Sequence, residues 1–181
     1  MTLYVIGGIA VLCLLYFIST QRSLVNLDEM ANNALSQIGV QLQSRWDAIK
    51  GLVKLVEKYS AHEHETLKDM VAGRAKIGNT STAQDVNKDE TLLNSVMGRI
   101  IAVGEAYPDL KASEVYVEAM EGVNSYEENV RVSRMVYNDT ATKMNRMVRQ
   151  WPSSIVASML HFGLREYLQT PDDKQDHPLA D

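Results

Sequence analysis

Residues 24–77 read LVNLDEMANNALSQIGVQLQSRWDAIKGLVKLVEKYSAHEHETLKDMVAGRAKI, and the spacing of their apolar side chains decides the fold. Apolar or small residues stand at Leu24, Leu27, Ala31, Leu35, Ile38, Leu42, Ile49, Leu52, Val56, Tyr59, Leu67 and Met70, mostly three or four positions apart, with no proline between them. Steps of three and four return to one face of a helix. The stretch therefore predicts a long helix with a coiled-coil-like seam lying against partner helices. Gly39, Gly51 and Gly73 each weaken such a helix by about 1 kcal/mol relative to Ala, so a bend or break is expected near one of them.

Upstream, residues 1–21 hold no Asp, Glu, Lys or Arg in a chain that is 23% charged. A helix of about 20 residues rises about 30 Å, the thickness of a hydrocarbon core, so these residues predict a single transmembrane anchor. They carry no basic start and no small-x-small cleavage site, which points to an anchor that is kept rather than a signal peptide that is removed. The one cysteine, Cys13, excludes an internal disulfide framework and any CxxC pair. Leu12 precedes it where a lipoprotein signal needs a small residue, so Cys13 is expected to pack rather than carry lipid. Arg22 is the nearest basic flank, which favours an outside N-terminus and a cytoplasmic body. Gly7 and Gly8 are followed four residues on by Val11 and Leu12, so the small-xxx-small dimerisation pattern is missing.

Downstream, residues 78–89 (GNTSTAQDVNKD) lose the periodicity and predict a loop. Asn87 with Glu90 resembles a capping pair opening a second helix, whose stripe is Leu93, Val96, Ile100, Val103 and Tyr107. Pro108 ends it. A third long helix starts near Ala112 and carries Tyr116, Ala119, Val123, Tyr126, Val130, Tyr137, Ala141, Met144, Val148 and Trp151 at the same spacing. Pro152 stops that helix, and Ser153 or Ser154 is placed to cap a short last one through about Tyr167, with Ile155, Val156, Met159, Leu160 and Leu164 as its apolar side. The polar, proline-containing residues 169–181 predict a disordered tail. The fold class is all-α: an elongated antiparallel bundle over residues 22–168, three main helices plus a short C-terminal one, preceded by the transmembrane helix.

Two blocks carry a resemblance to a known family. The first is VQLQSRWDAIKGLVKLVEKYSAHEHETLKDMVAGRA at 40–75, and the second is IIAVGEAYPDLKAS at 100–113. They are followed by an RxxYN element at Arg134, Tyr137 and Asn138, and by an aromatic-Pro-Ser at 151–153. Together they resemble the LemA family of bacterial membrane-anchored proteins over nearly the whole chain. Gln43 and Ser44 stand where that family has basic residues before Arg45, and Lys50 with Gly51 where it commonly has Pro-Asn. The resemblance implies a helical antiparallel bundle on one membrane span. It implies no reaction, and some relatives belong to the magnetosome membrane, where they are tied to organelle formation.

The densest set of metal-ligand types is His62-Glu63-His64-Glu65. On a helix His62 shares a face with Glu65 while Glu63 and His64 point elsewhere, and the HExxH pattern is broken at Thr66, so His62 and Glu65 are only weak metal candidates. Arg45, Arg99 and Arg134 fall on or beside helix seams. A buried guanidinium needs a partner, so each is expected to pair across helices with a carboxylate such as Glu105, Glu127, Glu128 or Asp139, or else to form an anion site. Tyr107, Pro108 and Asp109 form either a recognition loop or a plain turn in which Pro ends one helix and Asp caps the next. Met135, Met144 and Met147 are expected to fill the core.

No GxSxG, P-loop or glycine fingerprint occurs, so no enzymatic activity and no cofactor are expected. The net charge of −5 gives no basic surplus for nucleic acid. The leading expectation is a single-pass membrane protein presenting a helical bundle as a scaffold, with the lipid bilayer, other membrane or cytoplasmic proteins and possibly a second copy as partners. A self-assembling membrane-organising component of the magnetosome kind is the alternative, and a metal-dependent enzyme on His62, Glu63 and Glu65 is a third.

Overall fold

The computed structural model describes residues 1–74, 77 and 81–169, and among these no strand occurs. The expected all-α fold is realised in helices α1 (Thr2–Val56), α2 (Ala61–Ala72), α3 (Ala83–Ala106), α4 (Pro108–Lys111), α5 (Glu114–Arg149) and α6 (Ser153–Met159). The charge-free segment and the first part of the seam, as far as Val56, are one uninterrupted helix. Its N-terminal part holds an 18-residue window of mean hydropathy 2.2, none of it buried, which is long and apolar enough to cross a membrane. Cys13 is exposed on that part of the helix.

The seam of residues 24–77 is folded in two rather than straight. The first break lies at residues 57–60, away from the glycines, and α2 then ends at Gly73, its C-cap and one of the expected glycine positions. Ser60 leaves helical geometry (φ −153°, ψ 106°), and its hydroxyl accepts the Glu63 N–H at 3.3 Å. That bond satisfies one of the orphan donors of a new helix start, so α2 begins afresh. Gly39 has a different use. A Cβ there would lie 2.8 Å from the Ile77 carbonyl oxygen, so glycine lets the returning chain approach α1 closely.

The described residues form two compact units, one of residues Met1–Ala34 and Met135–Tyr167, the other of Leu35–Arg134 with the chain from Leu168. In the second unit contacts give the helix directions. His64 of α2 meets the Val53 carbonyl at 3.0 Å and Arg74 lies 3.9 Å from Asp47, so α2 runs back along α1. Trp46 bonds Asp89 and Tyr59 stacks near Tyr107, so α3 runs parallel to α1. Glu90 pairs with Arg134 and Gly104 faces Tyr116, so α5 returns antiparallel to α3. The unit is thus an up-down-up-down arrangement of four helices, its core built on Leu35, Ile38, Leu42, Trp46, Leu93 and Ile100.

The helix starts differ from expectation in their caps. α3 opens at Ala83, four residues before Asn87, because Thr82 and Asp85 form a reciprocal capping box. The bonds from Thr82 hold the Asp85 carboxyl below its ordinary range. Pro108 is the first residue of the single-turn α4, and Ser113, not Asp109, caps α5 by accepting the Tyr116 N–H at 3.3 Å.

In the first unit α6 stops at Met159 instead of reaching Tyr167. His161 adopts φ 60°, the Phe162 N–H reaches the Ala157 carbonyl and the His161 N–H reaches that of Ser158, which is a Schellman ending. Residues 160–167 then run as a non-helical strap. Asn145 clamps the strap in both directions, donating to the Arg165 carbonyl at 2.8 Å and accepting its N–H at 2.7 Å. The Arg165 guanidinium reaches Asp28 (2.6 Å) and Asn32 (2.9 Å) of α1, and the Tyr137 hydroxyl donates to the Glu166 carbonyl at 3.0 Å. Trp151, Ile155, Met159 and Met135, expected in the core, are exposed. The expected tail from residue 170 lies outside the described residues.

Removing the clamp leaves two part-buried backbone groups of Arg165 without partners. Asn145→Ala is therefore expected to cost about 2 kcal/mol in denaturant unfolding and to speed exchange of the Arg165 amide selectively. Unchanged exchange at Arg165 would contradict this account of the strap.

Candidate functional site

The polar residues that the seams bury meet in the second unit. Trp46 sits on α1 between Leu42 and Ile49, at the four-then-three spacing of the core, and is 1% exposed. Its indole N–H donates to Asp89 Oδ2 at 2.8 Å, tying α1 to α3 at that turn. One residue away, the Arg45 guanidinium is 2% exposed and reaches Glu127 of α5 at 3.4 Å, while that carboxylate is itself 38% exposed. Arg134 of α5 forms an ion pair with Glu90 of α3.

This set is rich in donors. The Nε and Nη1 of Arg45, and Nε of Arg134, are buried with no hydrogen-bond partner. Burial lowers both guanidinium pKa values; Glu127 partly offsets this for Arg45, whereas the positive charge of Arg45 lowers Arg134 further. Beside them lies a cavity of about 270 Å³ lined by Arg45, Glu90, Asn94, Met97, Met120 and Glu127 among others. Such a site offers guanidinium and amide groups beside thioether and aliphatic walls. It suits a group with hydrogen-bond acceptors on an apolar stem.

The other candidates are placed elsewhere. Arg99 donates to Glu63 of α2 at 2.8 Å, so of the three arginines only Arg45 finds a carboxylate from the expected set. Glu63, His64 and Glu65 each take a separate partner: Arg99, the Val53 carbonyl and Lys68. His62 is exposed, and among the described residues no three His, Cys, Asp or Glu side chains are grouped as metal ligands would be. Tyr107 is partly exposed with its ring centroid 6.1 Å from that of Tyr59. Tyr137 of α5 holds the strap through Glu166, burial raising its hydroxyl pKa, and Asn138 accepts Thr142 through its backbone carbonyl.

The family model described as LemA family matches residues 34–180, more than half of the chain and both blocks just placed. The chain belongs to the LemA family. Magnetosome protein MamQ 2 of Paramagnetospirillum magneticum is 25% identical over 191 residues, covering 89% of this chain and 70% of that one. Protein LemA of Metamycoplasma hominis is 25% identical over 149 residues, covering 80% and 66%. Magnetosome protein MamQ of Magnetospirillum gryphiswaldense is 24% identical over 190 residues, covering 88% and 70%. Within this LemA-family chain, the residues that reasoning from sequence passed over are Trp46, Asp89 and Asn145. The seam spacing signals Trp46; nothing local signals the other two.

A buried charge with poor acceptors is a net cost that an apolar side chain of similar length avoids. Arg45→Met is therefore expected to leave the melting temperature unchanged or raise it. A fall of several degrees would show that the pair with Glu127 holds the bundle together. The Arg99 bond keeps the Glu63 carboxyl below its usual range. A depressed carboxyl adds stability above its unfolded value of about 4.3, and that stability is lost as pH falls through the folded value. Arg99→Gln should thus flatten the acid limb of stability, and parallel limbs in urea titrations at stepped pH would contradict this.

Proposed function

We propose that this LemA-family chain is a non-enzymatic, single-pass membrane protein whose helical body binds other proteins at the inner face of the bacterial membrane. The observation that carries the reading is the unmatched donor set of Arg45 beside an apolar-walled cavity, on the same helix as the apolar window. A partner side chain or chain terminus bearing a carboxylate or amide supplies the missing acceptors. Orientation follows the positive-inside rule, since Arg22 is joined by Lys143, Arg146, Arg149 and Arg165 in residues 140–165, which contain no Asp or Glu.

The test is recovery of partners from detergent extracts by the full chain and by Arg45→Met. A specific partner retained by the native chain and lost with the variant, at unchanged melting temperature, is the expected result. Equal recovery by both, or turnover of a substrate by the purified chain, would sink the reading. The names of the MamQ relatives favour a second reading, a self-assembling component that shapes or organises a membrane. Crosslinking in native membranes separates the two, because self-assembly predicts ladders of the chain with itself.

A further inference from the structure

In the first unit the C-terminal corner packs against the end of the apolar window. Leu24 of α1 forms a core with Val156 and Ala157 of α6, and Phe17, Val148 and Phe162 close on it. A hydrocarbon core takes about 20 helical residues, so Phe17 lies in the last turn of a span starting near Thr2. With that span in place, the end of α5 and α6 stand at the level where membrane meets water.

At that level the corner leaves large apolar side chains uncovered. Trp151, in the turn between α5 and α6, is 80% exposed, and Ile155 (53%) and Met159 (63%) lie one turn apart on α6. Trp favours the headgroup level, with its ring toward the acyl chains and its N–H in the polar layer. The stretch of chain that carries Trp151 has charge of one sign. No Asp or Glu occurs between Asp139 and Glu166, although the chain as a whole carries −5. Arg146 and Arg149 in the last turn of α5, and Arg22 on α1, are exposed. Uncovered apolar side chains on a corner packed against the end of a membrane span, in a stretch with arginines and no acids, match an anionic bilayer surface.

We propose that this corner is a second membrane contact. Trp151, Ile155 and Met159 enter the boundary between headgroups and acyl chains, while Arg22, Arg146 and Arg149 hold the headgroups of anionic phospholipids. The contact fixes the rotation of the first unit on its span, which a single helix alone leaves free. The proposal rests on the apolar window of α1 crossing the bilayer.

The test uses the full chain in lipid nanodiscs, of phosphatidylcholine alone or mixed with phosphatidylglycerol, each with and without lipids brominated on the acyl chain. Trp46 and Trp151 are the two tryptophans, so subtracting the spectrum of Trp151→Phe isolates the Trp151 emission. That emission is expected to be blue-shifted and quenched by bromolipid, more strongly in the anionic discs. The double variant Arg146→Gln with Arg149→Gln should bring quenching in anionic discs down to the neutral level at unchanged far-UV circular dichroism. Water-like, unquenched Trp151 emission in discs overturns the contact. Equal quenching in both lipids overturns the role given to the arginines. A blue shift that follows protein concentration in detergent but not lipid assigns the face to a second copy, which also overturns it. A chain that never enters discs and washes from membranes at high pH instead refutes the span itself.

Discussion

α1 serves two solvents along one helix, and the rest of the fold answers to that constraint. Before about Ile18 it is apolar on every face, which protein cannot cover without several neighbours and a bilayer covers at once. From Thr20 onward it is apolar on one stripe only: Leu24, Ala31, Leu35, Ile38 and Leu42 are buried while Asn26, Glu29 and Gln43 are not. A one-striped helix has to be covered by other helices of the same chain. The chain supplies them by reversing at residues 57–60, between α2 and α3, and through α4, so that α2, α3 and α5 each reach α1.

That reversal was written in the sequence in a form weaker than a proline or glycine. Ser60-Ala-His-Glu63 has the spacing of a capping box, and Thr82-Ala-Gln-Asp85 repeats it with an aspartate in place of glutamate. The seam pattern ran through Tyr59 to Leu67 because α2 needs the same three-four spacing for its own contact, so periodicity alone cannot tell one long helix from two that fold back. Leu67 is buried in either arrangement. A local hydroxyl-to-amide bond decides between them.

Most of the core was legible, since the seams at Leu35, Leu52, Leu93, Val103, Val123 and Met144 are all buried as their spacing requires. The misses share a physical origin. Ile155 and Met159 keep helical spacing on α6, and Trp151 stands in the turn before it, yet all three face outward, because spacing identifies a face but not which solvent covers it. The Asn145 clamp joins residues 20 positions apart through backbone groups that every residue possesses, so no side-chain pattern announces it. The partners of Arg99 and Arg134 lie on helices whose register depends on the reversal, and the carboxylates near them in sequence were therefore the wrong ones.

Arg45 is where structural need and chemical surplus part. The register of α1 against α3 is already set by the Trp46–Asp89 bond one residue away, and that of α3 against α5 by Arg134 with Glu90. Arg45 adds a single contact of 3.4 Å to a carboxylate that is partly in water, while two of its nitrogens stay buried without acceptors. An ion pair that sets register should be well matched at both ends, because desolvation is offset only when the lone pairs and protons are satisfied. Arg134 comes closer to that condition, with a carboxylate as buried as itself. The mismatch at Arg45 is the arrangement that an incoming acceptor would complete, which is why the cavity beside it, rather than the better-paired arginine, is the place to look for a partner.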